Sequence, residues 1–436
     1  MAKQLIFITA LLVTLAVFAF TMRKYLLYFR FTKSLKLDRF SQRFYETFNV
    51  AIAQTKIFRQ PVMGFLHAMV FWGFIVILIG SIEMVIDGIF RTERVFGLAG
   101  IAYDIVIATG DIFALIIAFA ILVFLFRRLF MHVKRFYGTE MKPVSKADAN
   151  MALSFILLLM LTLLGMNTFY YLDAQLAGHE IAGVYPVSQF IAGLFGQLTQ
   201  NQVHILHEIN WWGHILLIFA FANVLPYSKH FHVFMSVPNV FVSRIDPLGK
   251  IETMESIKKE VMLMLNPSAS VGNDNQSEIP KFGVSDANDV SWVNYMNALS
   301  CTECGRCTAV CPANITGKLL SPRKIMMDVR ARMKEKGPGL VKEGIGFSDG
   351  RSLLGDYISE EELWACTMCN ACAQECPVNI NQPSIILDMR RYLVLEKSSA
   401  PAGLNTVFTN IENNGAPWQF SPQDRLNWTE EIFMNG

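Results

Sequence analysis

The chain has 436 residues, of which 53% are hydrophobic and 17% are charged. Soluble domains carry roughly 25% charged residues, so this composition excludes an ordinary soluble protein and predicts membrane-spanning segments. The formal net charge is only +2. No cluster of basic and aromatic residues is present in the sequence, so nucleic acid is not an expected partner.

Five apolar segments are long enough to cross a lipid bilayer as helices of ~20 residues. They are Leu5–Met22, Val62–Ile82, Asp104–Phe126, Met151–Thr168 and Glu208–Tyr227. The first segment lacks a small-residue cleavage site and is followed directly by Arg23 and Lys24. These features indicate an uncleaved membrane anchor rather than a signal peptide.

Basic residues are unevenly distributed among the loops that connect these spans. Arg23–Arg59 contains nine Lys and Arg residues and Arg127–Asp148 contains six, whereas the other two loops hold only Arg91 and Arg94. Loops rich in Lys and Arg stay on the cytoplasmic side of a membrane. The pattern therefore predicts five spans in a bacterial inner (cytoplasmic) membrane, with the N-terminus outside and the C-terminus in the cytoplasm.

The character of the sequence changes after the fifth span. Ile251–Leu265 has the pattern of a short amphipathic helix, and Asn266–Asp289 has the Ser, Asn, Asp and Gly content of a linker. Gly337–Asp356 is predicted to be a loop, and the tail after Ser398 shows little periodicity. The predicted divisions are a membrane domain (1–245), an amphipathic helix and linker (246–289), a cysteine-rich helical domain (290–397) and a C-terminal tail (398–436).

All eight cysteines lie in two runs of identical spacing, CTECGRCTAVCP and CTMCNACAQECP. This C-x2-C-x2-C-x3-C-P spacing is typical of [4Fe–4S] clusters, in which three thiolates bind one cluster and the fourth cysteine crosses to the other. The two expected ligand sets are Cys301, Cys304, Cys307 and Cys376, and Cys366, Cys369, Cys372 and Cys311.

Disulfide bonds and structural zinc are the alternative interpretations of these cysteines. Disulfides would not need the repeated spacing, and zinc ribbons use two pairs of cysteines rather than four in a row. Two [4Fe–4S] clusters are therefore expected. Because their cysteines must be loaded as thiols, we expect this domain in a reducing cytoplasm.

Histidines in the membrane spans are candidates for function, because ionisable residues are costly there. His67 lies about 10 Å inside the second span, at a rise of ~1.5 Å per residue. His232 follows the cytoplasmic end of the fifth span, so these two histidines are expected to hold one haem between them. His214 lies nearer the outer face and is a poor partner for His67. The alternative for each histidine is a hydrogen bond between helices.

The membrane part resembles the cytochrome b of the nitrate reductase gamma family. The run HILLIFAFANVLPYSKHFH is similar to the fifth helix of that family, and it places His214, Pro226 and His232 at the positions of the haem histidines and an intervening proline. GFLHAMVFWG is similar to the second helix, with His67 at its first ligand position and Ile77 in place of the second ligand. The resemblance implies one haem b, and a second haem at His214 stays possible.

The C-terminal third is similar to the iron–sulfur proteins of heterodisulfide reductase, glycolate oxidase and succinate dehydrogenase. The similar segments are CPANITGKLLSPRKIMMD, ELWACTMCNACAQECPVNINQPSIILDMRRYLV and the tail motif NIENNGAPW followed by RLNW. In membrane-bound relatives this tail leads into cysteine-rich CCG domains. The resemblance therefore implies a CCG-domain iron–sulfur partner that docks at the tail.

Together these features predict an all-α membrane protein, a five-helix cytochrome b-like bundle with a cytoplasmic α-helical ferredoxin-like dicluster domain. The resemblance implies the membrane component of a respiratory quinone oxidoreductase, which passes electrons from electron-transfer flavoprotein or a flavin dehydrogenase to menaquinone. The alternatives are the electron-carrying anchor of a heterodisulfide or thiol reductase complex, and a redox sensor or scaffold. Candidate residues for a quinone pocket lie toward the outer half of the spans: Glu83, Asp87, Asp111, His207 and His214.

Overall fold

The computed structural model describes residues 2–266 and 281–434. These residues form α-helices and short 3-10 and π-helical turns, and they contain no β-strand. The all-α class expected from the sequence is therefore confirmed. The helices of the N-terminal part are α1 (Ala2–Phe29), α2 (Phe40–Glu46), α3 (Pro61–Phe90), α4 (Ile101–Leu129), α5 (Pro143–Ala177), α6 (Pro186–Ala192), α7 (Gln200–Val224) and α8 (His232–Val242).

Five of the described helices, α1, α3, α4, α5 and α7, are long and apolar enough to cross a membrane. The first four extend beyond the predicted spans at both ends, since a helix continues after its most apolar stretch. The fifth begins at Gln200 and ends at Val224, just before Pro226. Proline cannot continue the hydrogen-bond ladder of a helix. His232, which the sequence places after the fifth span, is the first residue of a separate helix, α8.

The centre of the bundle is α5, which packs against both α4 and α7. Gly165 lies where α5 approaches α7. A Cβ atom at this position would clash with the side-chain amide of Asn210 on α7. A larger residue at position 165 would therefore require the Asn210 side chain to move.

The C-terminal part consists of shorter helices. They are α9 (Glu255–Leu265), α10 (Trp292–Ser300), α11 (Arg306–Ala309), α12 (Pro312–Ile315), α13 (Pro322–Glu343), α14 (Glu360–Trp364), α15 (Ala371–Glu375), α16 (Gln382–Lys397), α17 (Ala402–Asn414) and α18 (Asn427–Met434). The tail contains α17 and α18, although its sequence shows little periodicity. We refer to residues 281–397 as the cysteine-rich domain.

Two predicted irregular segments are ordered in this domain. Gly337 and Pro338 lie inside α13, whereas the sequence predicts a loop from Gly337. Tertiary packing explains the difference, because a Cβ atom at Gly337 would lie 2.6 Å from the ring of Tyr28 on α1. The predicted linker also ends differently. Val284 and Ala287 are buried in the domain, and the segment 267–280 lies outside the described residues.

Charged side chains inside the cysteine-rich domain connect segments that are distant in sequence. Arg332 is 0% exposed. Its guanidinium donates hydrogen bonds to the carboxylates of Asp286, at 2.8 and 3.0 Å, and Asp349, at 2.6 Å for each oxygen. Lys336 also contacts Asp286, at 2.7 Å. Burial alone would raise the pKa of Asp286, but the hydrogen bonds from Arg332 and Lys336 outweigh this effect and lower it.

The substitution Arg332→Met is expected to lower the free energy of unfolding by about 3–5 kcal/mol, because it leaves buried carboxylates with fewer partners. The matched change Arg351→Met removes a half-exposed pair with Glu335 and should cost about 1 kcal/mol or less. Thermal unfolding of the full chain measures both. Equal losses of unfolding free energy in Arg332→Met and Arg351→Met would contradict a stabilising role for the buried Arg332 ion pairs.

The stabilisation by Asp286 should also depend on pH. Because the pKa of Asp286 is lowered in the folded state, its contribution to the free energy of unfolding is fully present above its pKa in the unfolded chain. That contribution is lost as the pH falls through its pKa in the folded chain.

Candidate iron–sulfur and haem site

The two cysteine runs fold into the same type of loop. In the first run Glu303 and Gly305 have φ angles of 57° and 73°, and at equivalent places in the second run Met368 and Asn370 have φ angles of 55° and 60°. Left-handed residues at these places turn the chain sharply between successive cysteines. The repeated spacing in the sequence therefore corresponds to a repeated backbone conformation.

The fourth cysteine of each run lies beside the other run. Burial, followed by the nearby thiol of Cys304, raises the pKa of Cys376 to about 12. Cys311 lies close enough to Cys366 and Cys372 to influence their thiols. These proximities are compatible with the crossed assignment expected from the spacing, which stays a prediction: a first set (Cys301, Cys304, Cys307 and Cys376) and a second set (Cys311, Cys366, Cys369 and Cys372).

The chemistry of these sulfurs fits iron–sulfur clusters. Burial raises the pKa of Cys301 to about 11 and that of Cys372 to about 12. Iron binds the thiolate form of cysteine. A buried thiol with a raised pKa would lose its proton when the positive charge of a metal cluster is bound beside it. All eight cysteines are free of disulfide bonds.

The two sets differ in exposure. Cys369 of the second set is exposed and Cys366 is half-buried, whereas three of the four cysteines in the first set are buried. The second set is therefore the more accessible of the two from solvent.

The first set faces the membrane bundle. Arg306, which lies between Cys304 and Cys307, donates hydrogen bonds to the carbonyl oxygens of Lys56, at 3.2 Å, and Ile57, at 3.3 Å. These residues immediately precede α3. On α8, the side-chain amide of Asn239 donates to the Val378 carbonyl oxygen at 2.7 Å, two residues after Cys376. Both helices that carry the predicted haem histidines are therefore joined to loops of the first set.

Three histidines gather at this junction. His67 lies in the second turn of α3, directly after the segment that Arg306 contacts, and the ring of His230 is 5.6 Å from that of His232. Nδ1 of His232 lies 3.2 Å from the Lys229 carbonyl oxygen. A hydrogen bond donated from Nδ1 leaves Nε2 of His232 available for iron, as is usual for metal-binding histidines. Nδ1 of His67 is buried and has no hydrogen-bond partner among the described residues.

The unpartnered Nδ1 of His67 and the ring of His232 oriented through Nδ1 are compatible with a haem held between these two residues, which stays a prediction. His230 is not part of the predicted pair, although the run HFH places it two residues before His232. The environment of His214 is different, because this residue is 2% exposed and its Nδ1 lies 3.0 Å from Oγ1 of Thr162 on α5. This contact is the hydrogen bond between helices that the sequence leaves as the alternative.

The carboxylates considered for a quinone pocket hold the loops at the opposite end of the bundle. Asp111 accepts hydrogen bonds from the backbone N–H groups of Val187, at 2.8 Å, and Ser188, at 2.9 Å, at the beginning of α6. Glu83 and Asp87 accept hydrogen bonds from the backbone of the loop between α3 and α4. Since all three anchor loop backbone, the structure gives each of them a structural role. The ring of His207 lies 6.3 Å from that of Tyr170.

Fold and site together define an all-helical protein with five apolar helices and a two-cluster iron–sulfur domain. Residues 300–380 match the 4Fe-4S dicluster domain family. The spacing, the fold and this match support two [4Fe–4S] clusters in the cysteine-rich domain.

Curated relatives extend the similarity over most of the chain. A Bacillus subtilis protein named a probable iron-sulfur-binding oxidoreductase, FadF, is 28% identical over 99% of this chain and 61% of its own length. The EtfAB:quinone oxidoreductase of Syntrophomonas wolfei is 26% identical over 90% of this chain and 55% of its own length. A component of a CoB-CoM heterodisulfide reductase from Methanosarcina acetivorans is 33% identical over 24% of this chain and 52% of its own length.

The chain spans only about 55–61% of the length of the first two of these relatives. No solved structure matches the chain. These similarities indicate an iron–sulfur oxidoreductase related to EtfAB:quinone oxidoreductase and to heterodisulfide reductase proteins. The five apolar helices suggest insertion into a membrane.

Proposed function

We propose that this chain is the membrane subunit of a quinone oxidoreductase. In this function a cytoplasmic flavoprotein donor reduces the chain, and a menaquinone in the membrane receives the electrons. The observation that carries the proposal is the position of the first cysteine set, whose loops are joined by hydrogen bonds to the segment before α3 and to α8, the two helices that contain His67 and His232. When bound, two [4Fe–4S] clusters and one haem b supply a series of one-electron carriers between water and lipid.

The chain's own residues determine the order of these carriers. The exposed Cys369 places the second set where a donor can approach. The buried first set is positioned by Arg306 and Asn239, whose hydrogen bonds join it to the segment before α3 and to α8. His67 and His232 would hold the haem, and the hydrogen bond to the Lys229 carbonyl orients His232. His214 is proposed as an interhelical hydrogen-bonding residue, with a second haem as the alternative.

The domain divisions and the orientation in the membrane belong to the same proposal. The basic loops 23–59 and 127–148 lie at the end of the bundle that contacts the cysteine-rich domain, and one such contact is the hydrogen bond from Arg323 to the Arg135 carbonyl oxygen at 2.7 Å. The positive-inside rule therefore supports a cytoplasmic location for the clusters and an outer location for the N-terminus. The inner (cytoplasmic) membrane of a bacterium is the proposed location.

A CCG-domain iron–sulfur module is the proposed partner of the C-terminal tail. Its aromatic residues are accessible, with Trp418 51% exposed, Phe420 67% exposed and Trp428 65% exposed. Aromatic side chains are enriched at the centres of protein interfaces. An electron donor bound through these residues would lie on the same side of the membrane as the exposed second set.

The test is to purify the complex from its native membrane and add reduced electron-transfer flavoprotein under anaerobic conditions. We expect the iron–sulfur and haem absorption to become reduced, and a menaquinone analogue to reoxidise both with formation of quinol. Reduction by the flavoprotein without any reoxidation by the quinone would contradict the proposal.

The similarity to a heterodisulfide reductase component supports one second candidate, an electron-carrying anchor for a thiol reductase. In the same experiment that function predicts reoxidation by a disulfide substrate and none by quinone. A redox sensor would show neither reaction.

A further inference from the structure

Lys229 occupies the connection between the predicted haem histidines and the first cysteine set. It lies in the 3-10 turn Lys229–Phe231, directly before α8, and it is 9% exposed. Its carbonyl oxygen is 3.2 Å from Nδ1 of His232. Its ammonium group contacts the cysteine-rich domain, at 2.8 Å from Oε2 of Glu303. One residue therefore touches both parts of the site.

Glu303 is part of the loop that carries the first set. It lies between Cys301 and Cys304, is 8% exposed and has a left-handed backbone. Its other carboxylate oxygen pairs with Arg330, whose guanidinium donates to the Cys301 carbonyl oxygen at 2.9 Å. A movement of Glu303 would therefore move the backbone that presents the first cysteines.

The turn that contains Lys229 is also fixed from the bundle side. Its backbone N–H donates to the carboxylate of Asp148 at 3.0 Å, and its ammonium group donates to the carbonyl oxygen of Ser145 at 2.6 Å. Both partners lie in the first turns of α5. The side chain and the backbone of Lys229 are thus held from both the bundle and the cysteine-rich domain.

We propose that Lys229 is a positioning residue that holds the His232 ring in the orientation and tautomer required of a haem ligand, and couples that orientation to the loop of the first cysteine set. The proposal rests on the proposed function in one respect, that His232 binds haem. Hydrogen-bond partners behind a metal-binding histidine fix its orientation and raise its basicity. A buried ion pair is weak evidence for stability but can specify one geometry.

A second buried ion pair at the same domain junction provides a matched control. Arg323 and Glu140 are separated by 2.6 Å, with side chains 1% and 5% exposed. Arg323 also approaches the Glu303 carbonyl oxygen, at 3.5 Å. This pair joins the bundle to the cysteine-rich domain as Lys229 does, but its hydrogen bonds do not involve His232. An effect due only to loosened docking would therefore appear in variants of both pairs.

The experiment measures haem titration into the apo form of the full chain, and the low-spin haem signal in electron paramagnetic resonance (EPR). Lys229→Met is expected to weaken haem affinity roughly 10–100-fold and to shift that signal, while both clusters keep their occupancy. Lys229→Arg, which keeps the charge, should recover part of the affinity. Arg323→Met should leave haem affinity and the haem signal unchanged. An unchanged haem signal in Lys229→Met, or equal changes in both Met variants, would overturn the proposal.

Two further variants keep the outcome decisive. If Lys229→Met does not accumulate as folded protein, Glu303→Gln removes the charge from the other side of the pair with little change of shape. It should move haem affinity in the same direction, and no movement would refute the proposal. If His232→Ala retains its haem, the haem assignment of the proposed function fails. If His232→Ala loses its haem while Lys229→Met behaves as the unmodified protein, only the role of Lys229 is refuted.

Discussion

Replacing either His67 or His232 with Ala is expected to abolish haem b binding while both [4Fe–4S] clusters remain. His67 lies in the second turn of α3, and His232 is the first residue of α8. Nδ1 of His67 is buried without a partner among the described residues, and His232 is oriented by the Lys229 carbonyl. Loss of one axial ligand from a bis-histidine haem removes half of its covalent attachment to the protein.

The measurement is a pyridine haemochrome assay on each purified variant, together with iron and sulfide content to confirm the clusters. The unmodified chain should contain one haem. His214→Ala should retain it, because His214 hydrogen-bonds Thr162 on α5.

His230→Ala is a stringent control, because the ring of His230 is 5.6 Å from that of His232. It should retain the haem with an altered absorption band. Retention of haem in His232→Ala combined with its loss in His230→Ala would move the ligand assignment to His230, and two haems per chain would restore His214 as a ligand.

Much of this architecture could be predicted from the sequence because its signals are local. An apolar stretch of ~20 residues indicates a spanning helix without reference to any other segment. The spacing of the cysteines likewise predicts iron–sulfur ligation from one short segment at a time. The predicted end of the fifth span at Tyr227 also agrees with the structure, where the α-helix ends at Val224 and a 3-10 turn continues to Tyr227. The sequence did not predict α8, the short helix that begins at His232.

The features that were missed depend on contacts between distant segments. Gly337 and Pro338 are poor helix formers, yet α13 continues through them because the ring of Tyr28 on α1 packs against Gly337. Asp286 lies in a segment with the composition of a linker. Its burial becomes favourable only because Arg332 and Lys336, which follow it by 46 and 50 positions, supply the compensating charges. The composition of the segment around Asp286 does not reveal partners that lie so far away in the sequence.

The crossed arrangement of the cysteines has a similar dependence on tertiary structure. The spacing alone predicts it, and in the folded chain Cys311 is near enough to Cys366, and Cys304 to Cys376, for one thiol to affect the pKa of the other. Assignment of each sulfur to a particular cluster nevertheless remains a prediction. The two sets sit in different environments, since Cys369 is exposed whereas Cys301 is buried. The two clusters should therefore differ in their reduction potentials and EPR signals.

Cys311→Ser is expected to remove the cluster of the second set and to leave the cluster of the first, although Cys311 belongs to the first run. The chain should then retain about half of its iron and sulfide, because only one of the two clusters has lost a ligand. Cys372→Ser and Cys307→Ser provide the reference signals, since each alters a cysteine whose set follows from its own run. The EPR spectrum of reduced Cys311→Ser should match that of Cys372→Ser, and the spectrum of Cys376→Ser should match that of Cys307→Ser. A spectrum of Cys311→Ser that matches Cys307→Ser instead would show that each run holds its own cluster.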